Sequence, residues 1–428
     1  MPAQKQQLRF FDITMMVISL VIGMGIFRAP ATVAQRAGSE FVYYAAWITG
    51  GLIALCGAIG YAEIGKRMPI SGAYYSIFAK AYSPALAFAI NIIILVSNAA
   101  SIAGVSIIGA EYVVPYAMGI PISILASGFI LLLFALNLLG LRTSATVQNI
   151  LIGIKLLMLF AIISALWVVV PALNIVNMQT EASGFFQSFG LALIAVSFTY
   201  GGYQQTINFG GEVRDNQRML PRAIILGVLI IITLYILANM AYVHVIGFEE
   251  LTKAKFIAAM VMEKLFGNTA ALIVSCIIVI SVFGYINVSL LSNPRVISRM
   301  SMDGVLPKIF SQSDEEKKVS VLALSAFTGL SLFCVYAGES FERILNYTIF
   351  IDSIGLGVGM ATLYRLKGES MSWYIHLAAF LFICACLYTG INIFLFDTKA
   401  GLYGSLLFAI VWLIGFVILQ SKKLFNAE

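Results

Sequence analysis

Long apolar segments alternate with short polar loops along the entire chain. Twelve of these segments approach the roughly 20 residues that a helix needs to cross a lipid bilayer. This pattern predicts an all-α polytopic membrane protein with twelve transmembrane helices. The predicted spans cover roughly residues 12–35, 41–64, 84–110, 122–139, 146–170, 187–210, 223–245, 267–293, 319–337, 343–363, 373–393 and 402–420.

The first predicted span is interrupted at its centre by Gly23-Met24-Gly25. Glycine is a poor helix former that allows non-helical dihedral angles. Lipid offers no hydrogen-bond partners, so irregular backbone at this depth is tolerated only where it lines a cavity. We therefore interpret the interruption as part of a substrate site. The alternative is that the glycines only allow neighbouring helices to pack closely.

The sixth predicted span is interrupted in the same way, at Thr199-Tyr200-Gly201-Gly202. Breaks in the first and sixth spans are typical of an inverted repeat of five plus five helices. Within one transmembrane domain, the repeats are then expected over residues 1–170 and 187–365, with two additional helices over 373–420. A chance pairing of glycines is the alternative.

Two charged residues lie near the middle of predicted spans. Lys155 lies nine residues past Thr146, which places it about 14 Å into span five. Asp352 lies about nine residues from either end of span ten. A charge at this depth costs roughly 2.5–3.5 kcal/mol on insertion scales and is by default a functional candidate. The alternatives are that Lys155 lies near the cytoplasmic interface, and that Asp352 is a protonated carboxyl bonded to a neighbouring helix.

The composition excludes a soluble globular protein, because 61% of the residues are hydrophobic, 11% are charged and the mean hydropathy is +0.96. With a cytoplasmic N-terminus, 18 Lys and Arg residues lie inside, 6 lie outside and 2 lie within spans, which accounts for all 26. This bias predicts a multi-pass protein of the cell (plasma or inner) membrane with both termini cytoplasmic. The net charge of +6 therefore reflects topology, and no nucleic-acid partner is expected.

Catalytic and metal-binding chemistry finds little support in the sequence. The five cysteines all fall within predicted spans, and His244 and His376 lie far apart near span ends. A membrane enzyme needs clustered acids, histidines or a nucleophile with a base at one depth, whereas the spans hold two isolated charges. We expect no enzyme activity, no cofactor and no metal. The short termini offer no obvious platform for an accessory subunit.

Four motifs resemble signatures of the amino acid–polyamine–organocation superfamily, most closely those of the L-type amino acid transporter branch and its bacterial relatives. Each motif is weak alone, but the four occur in the expected order. They are GMGIF at Gly23–Phe27, VQNILIGIK ending at Lys155, FTYGGY at Phe198–Tyr203 with the following GEVRDNQRMLPRA, and RMSMDGVLP at Arg299–Pro307.

The resemblance implies a LeuT-like fold with discontinuous first and sixth helices, and amino acid transport by alternating access. The free amides near Gly25 suit a substrate carboxylate, and the carbonyls near Ile22 and Phe198 suit an ammonium group. The Phe198 ring matches the family's aromatic gate. The expected substrate-binding residues are Ile22, Gly23, Met24, Gly25, Ile26, Phe198, Tyr200, Gly201, Gly202 and Asp352.

Lys155 matches the family position whose ammonium group takes the place of a sodium ion in sodium-coupled relatives. Three departures from the family pattern leave the substrate open. Met24 replaces a Ser or Thr that has a hydroxyl donor, Asn216 stands where proline is usual, and Arg28 directly follows GIF. If Asp352 is ionised and faces the pocket, a cationic or polar substrate side chain is favoured.

These inferences together predict a sodium-independent amino acid exchanger whose partners are the amino acid and the lipid bilayer. A proton-coupled amino acid symporter is the alternative within the same class. A non-transporting amino acid sensor and a channel of the same fold also remain open.

Overall fold

The computed structural model describes residues 8–23, 25–114, 119–168, 184–213, 215–254, 256–312, 320–337, 341–366, 370–396 and 398–425. This part of the chain is helical, as the apolar pattern predicts. Its α-helices are α1 (Phe10–Val21), α2 (Gly25–Ala37), α3 (Glu40–Arg67), α4 (Ala73–Ala81), α5 (Pro84–Val113), α6 (Ile122–Asn137), α7 (Leu141–Ser164), α8 (Phe185–Tyr200), α9 (Asn216–Ile246), α10 (Phe248–Lys253), α11 (Ile257–Phe266), α12 (Asn268–Met302), α13 (Val321–Ala337), α14 (Phe341–Ala361), α15 (Trp373–Phe396) and α16 (Thr398–Phe425).

Helices long and apolar enough to cross a membrane dominate the described residues. Seven single helices meet that condition, namely α3, α5, α7, α9, α12, α15 and α16, and the pair α1 and α2 forms an eighth span with a bend of 40°. The helices α6, α8 and α13 are apolar but shorter. Each of the twelve predicted spans overlaps a helix, and the multi-pass membrane character is confirmed. The count of exactly twelve spans stays a prediction.

Helix starts follow the local sequence where a capping residue is present. Ser39 accepts a hydrogen bond from the Val42 amide at 3.4 Å, and Ser83 accepts one from the Leu86 amide at 3.3 Å. Both serines satisfy an amide that has no partner inside its helix. Proline at the first position of α5 fits because its missing N–H is not needed there.

Two helices extend beyond the predicted spans into charged segments of the chain. The helix α9 begins at Asn216, because the Asp215 carbonyl accepts bonds from the Arg218 and Met219 amides at 3.2 and 2.7 Å. The helix α12 runs on to Met302. Charged residues are compatible with such extensions, since a helix that leaves the bilayer satisfies its own backbone whatever its side chains are.

Aromatic residues fill the interface of α3 with α8 and α9. Trp47 is fully buried and packs edge-on against Tyr200 and Tyr235, with ring centroids 5.9 and 6.0 Å apart. Tyr43 is also fully buried and donates a hydrogen bond to Asn239. This packing fixes the C-terminal end of α8, at Tyr200, against its neighbours.

Large apolar side chains are exposed on the outside of the helix bundle. Examples are Leu157 and Phe160 on α7 and Leu413 and Val417 on α16, which are 71%, 57%, 56% and 63% exposed. Such a surface is unfavourable in water, but it matches the acyl chains of a bilayer.

Candidate functional site

The two interrupted helices meet at their breaks. The helix α1 ends at Val21 and α2 begins at Gly25, and α8 ends at Tyr200 before the non-helical Gly201 and Gly202. A methyl group at Gly25 would lie 2.9 Å from Thr199 Cγ2, and one at Gly202 would overlap the Leu20 carbonyl oxygen. Gly202 also has φ of +115°, a conformation that L-residues with a side chain rarely adopt. Glycine at both positions therefore permits the close approach of the two broken segments.

At the first break, side chains from distant helices satisfy the exposed carbonyl groups. The Val21 carbonyl accepts bonds from the Gly23 amide at 2.7 Å and from the Tyr235 hydroxyl at 3.1 Å. The Ile22 carbonyl accepts a bond from Lys155 Nζ. The break is thus stabilised from outside the helix, as irregular backbone within a bilayer requires.

At the second break, the chain turns on a local hydrogen bond. The Gly202 amide donates to Gln204 Oε1 at 2.9 Å, and the Gln205 amide donates to the Gly202 carbonyl at 3.0 Å. A short 3₁₀ helix, Tyr203–Asn208, follows. Since the last carbonyls of an α-helix lack intrahelical partners, the end of α8 presents acceptors beside the break.

A cavity of about 120 Å³ lies between the breaks. This volume is well above the roughly 10–15 Å³ that a cavity needs to hold one water, so there is room for a ligand larger than water. Both breaks contribute to its wall, together with α3, α5, α12, α14 and α15. The lining residues used below are Gly23, Gly25, Asn98, Ser101, Thr199, Tyr200, Gly201, Gly202, Gln204, Gln205, Tyr285 and Asp352.

Among the described residues that line the cavity, Asp352 alone carries a formal charge. The Ser97 hydroxyl donates a hydrogen bond to its Oδ1 at 2.7 Å. No Lys, Arg or His side chain lines the described wall, so a bound carboxylate has no side-chain counter-ion there. The partial positive charge at the start of α2 is the available substitute.

Lys155 is fully buried beside the first break. A methyl group at Gly284 of α12 would lie 3.7 Å from Lys155 Nζ, so the ammonium group sits between α1 and α12. A chain of buried side chains adjoins it: Ser19 accepts a bond from Gln148, and Gln148 Oε1 accepts one from Asn287 at 2.8 Å. The surrounding polar contacts hold α1, α7 and α12 together.

The structure brings most of the predicted site residues together. Gly23, Gly25, Tyr200, Gly201, Gly202 and Asp352 line the cavity. Ile22 and Ile26 are fully buried without lining it, and one lone pair of the Ile22 carbonyl is already used by Lys155. Met24 and the side chain of Phe198 lie outside the described residues.

The sequence did not single out the polar residues on α5. Polar residues within membrane helices are usually packing contacts between helices, yet Asn98 and Ser101 line the cavity with Val105. The available signal is their spacing, because residues three and four apart share one face of a helix. Tyr285 was not singled out either, and nothing in its immediate sequence separates it from an ordinary core residue.

Ion pairs away from the cavity join separate elements. Arg28 contacts Glu111 at 2.6 Å across α2 and α5. Arg295 donates from Nε and Nη2 to the two oxygens of Glu212, at 2.8 and 3.0 Å. The Leu8 amide donates to the Glu212 carbonyl at 2.7 Å, so this second cluster also holds the N-terminal segment. Within the described ranges, no three His, Cys, Asp or Glu side chains are placed to hold a metal ion.

Comparison with known proteins places these features in a protein family. The amino acid permease family model matches residues 8–421. The chain is similar to the large neutral amino acids transporter small subunit 2 of Mus musculus, with 29% identity over 379 residues that cover 84% of this chain and 70% of the relative. It is also similar to the Homo sapiens cystine/glutamate transporter (27% identity, 82% and 72% covered) and to the Bacillus subtilis serine/threonine exchanger SteT (26% identity, 86% of each).

Proposed function

Because the chain belongs to the amino acid permease family, of the amino acid–polyamine–organocation superfamily, we propose that it is a secondary amino acid transporter that works by exchange. The similar proteins are named as transporters or exchangers of amino acids and not as enzymes. The observation that carries the proposal is the cavity between two helices that both come apart beside it. Such a cavity combines free backbone groups with space for a small molecule.

The proposed architecture has twelve spans in a LeuT-like fold. Residues 1–170 and 187–365 form the two inverted repeats, and residues 373–420 add two helices. Supporting this, the breaks fall in the first and sixth predicted spans. The bias of Lys and Arg towards alternate loops supports cytoplasmic termini.

We propose that the backbone recognises the part that all amino acids share. The substrate carboxylate lies at the start of α2, near Gly25, where the first-turn amides lack intrahelical partners and the helix dipole attracts an anion. The substrate ammonium group lies at the last carbonyls of α8. The carbonyls of Val21 and Ile22 have other partners, which favours α8 for this role.

Alternating access then follows from movement of the broken helices relative to the other helices of the bundle. In this proposal Phe198 closes over the bound substrate, Tyr200 and the glycines at 201 and 202 shape the wall, and Asp352 faces the substrate side chain. The Glu212–Arg295 pair and the Leu8 contact close the face that we assign to the cytoplasm. Inward opening requires these contacts to separate.

Lys155 is proposed to act as a tethered cation in place of sodium. Its ammonium group lies between the end of α1 and Gly284 of α12, and it connects the broken helix α1 to α7, which carries Lys155. A covalently attached cation does not dissociate, so a sodium gradient has nothing to act upon at this position.

Counterflow in proteoliposomes tests the proposal. Vesicles loaded with unlabelled amino acids should take up labelled amino acid faster than empty vesicles, with saturable kinetics. Lack of saturation would indicate a channel, and binding without uptake would indicate a sensor. Net uptake into empty vesicles that depends on an inward proton gradient would overturn exchange in favour of symport.

A further inference from the structure

Three side-chain amides form a buried chain that ends at the cavity. Asn293 Nδ2 donates to the Ser289 carbonyl at 2.9 Å. Asn98 Nδ2 donates to Asn293 Oδ1 at 2.6 Å, and Gln205 Nε2 donates to Asn98 Oδ1 at 2.9 Å. The three amides are 2%, 7% and 6% exposed along that order, and both Asn98 and Gln205 line the cavity.

The backbone carbonyl at one end of this chain determines the direction of every amide in it. The Ser289 carbonyl can only accept, so Asn293 must turn its NH₂ group towards it and its oxygen towards Asn98. Asn98 must then donate to Asn293 and offer its own oxygen to Gln205. As a result Gln205 uses its NH₂ group on Asn98, and its oxygen is left over. The alternative amide flip would bring two NH₂ groups or two oxygens together at one of these contacts.

The remaining Gln205 oxygen is buried and has no hydrogen-bond partner among the described residues. A buried acceptor without a donor is unfavourable, so a donor from a cavity ligand would stabilise it. The same wall holds a second acceptor: Asp352 uses Oδ1 for Ser97, and its Oδ2 has no bond within the described part of the chain. Because Ser97 and Asn98 are consecutive on α5, both acceptors are held by neighbouring positions of one helix.

We propose that the Gln205 oxygen, together with Asp352, selects amino acids whose side chain carries a hydrogen-bond donor. This specificity rests on the proposed transport function and names its substrate class. Serine, threonine, asparagine and glutamine belong to this class, as do amino acids with a cationic side chain. Aliphatic side chains of the same shape leave both acceptors without a partner and bind less tightly.

Binding of isosteric ligand pairs tests the proposal without requiring translocation. Threonine and valine differ by a hydroxyl against a methyl group, and asparagine and leucine differ by an amide against a branched alkyl group. The apparent affinity of each is measured from thermal-shift titrations of the purified protein, since a ligand that binds the folded state stabilises it. We expect threonine and asparagine to bind about 5- to 30-fold more tightly than their apolar isosteres.

Variants along the amide chain locate the source of this preference. Gln205→Met removes the acceptor and should reduce the threonine-to-valine ratio towards one. Asn98→Leu leaves Gln205 in place but releases its orientation, so the ratio should also fall. A retained ratio in Gln205→Met, or equal affinities of the isosteres in the wild-type protein, would overturn the proposal.

The outcome separates this specificity from transport itself. Counterflow of amino acids with no preference for donor side chains would contradict the proposed specificity but not the proposed transport function. Preferential binding of threonine over valine without counterflow would contradict the proposed transport function but not the proposed specificity. A protein that binds none of these amino acids would overturn both. The wild-type ligand pairs decide the question even if a variant fails to fold.

Discussion

Lys155 Nζ donates a hydrogen bond to the backbone carbonyl of Ile22, the residue at which α1 comes apart. The two residues are 133 positions apart in the chain, and both are fully buried. A broken helix in a membrane needs a partner for its free carbonyl, and a buried ammonium group needs an acceptor. Each residue therefore supplies what the other lacks.

Replacing Lys155 should abolish exchange. In Lys155→Ala the Ile22 carbonyl loses its Lys155 donor, and the charged group between α1 and α12 is lost. Lys155→Met fills nearly the same space without the ammonium group, so a similar loss in this variant assigns the effect to the charge and not to packing. Counterflow should fall to the level of protein-free vesicles in both.

The control for this pair of variants is Lys253→Ala. Lys253 is largely exposed in α10 and contacts Glu249 at 3.7 Å, a surface pair of little energetic value. Counterflow by this variant should match the wild-type protein. Undiminished exchange by Lys155→Met would show that the ammonium group has no part in transport.

Exchange should be independent of sodium. The Lys155 ammonium group already places a positive charge between Ile22 and the Gly284 region, so no soluble cation is required there. Replacing sodium with choline on both sides of the vesicle membrane should leave the initial rate of counterflow unchanged. A rate that rises with sodium in a saturable manner would contradict this assignment.

Gly202→Ala should eliminate transport. The residue has φ of +115°, where an L-alanine costs on the order of 1–2 kcal/mol, and its methyl group would also overlap the Leu20 carbonyl. The two breaks would be forced apart, which should lower both the unfolding temperature and the counterflow rate.

Gly128→Ala in α6 is the matched control, because a methyl group there meets nothing within 4 Å among the described atoms. Alanine also favours a helix over glycine by roughly 0.5–1 kcal/mol. This variant should remain at least as stable and as active as the wild-type protein. If Gly202→Ala behaved in the same way, close approach of the breaks would be unnecessary.

The Glu212–Arg295 pair should contribute cooperatively to stability. Its side chains are only 20% and 13% exposed, and the contact uses both carboxylate oxygens, which gives it more strength than a typical surface pair. Glu212→Gln and Arg295→Gln should each lower the apparent unfolding temperature by roughly 1–4 °C. The double variant should lose less than the two single losses combined. Strict additivity in this cycle would show that the two side chains do not interact energetically.

Much of the architecture could be predicted from local sequence. Apolar segments of about 20 residues indicate spans because their hydrophobicity is a property of the segment itself. The breaks at Gly23–Gly25 and Thr199–Gly202 were predicted near the positions where α1 and α8 end, because glycine acts on the backbone locally. Pattern alone did not reveal the helical extensions of α9 and α12, since charged segments after a span suit either a helix or a loop.

The sequence by itself determined that this protein crosses a membrane repeatedly, where two helices break, and that Lys155 and Asp352 lie near the middle of apolar segments. Only the tertiary structure decided which groups meet. Lys155 reaches the Ile22 carbonyl, and Asn98 reaches Gln205 across 107 positions of chain. The rotation and tilt of each helix depend on packing against its neighbours and not on its own residues. For that reason the role of Asn98 and Ser101 on α5 cannot be distinguished from ordinary helix packing until the cavity beside them is seen.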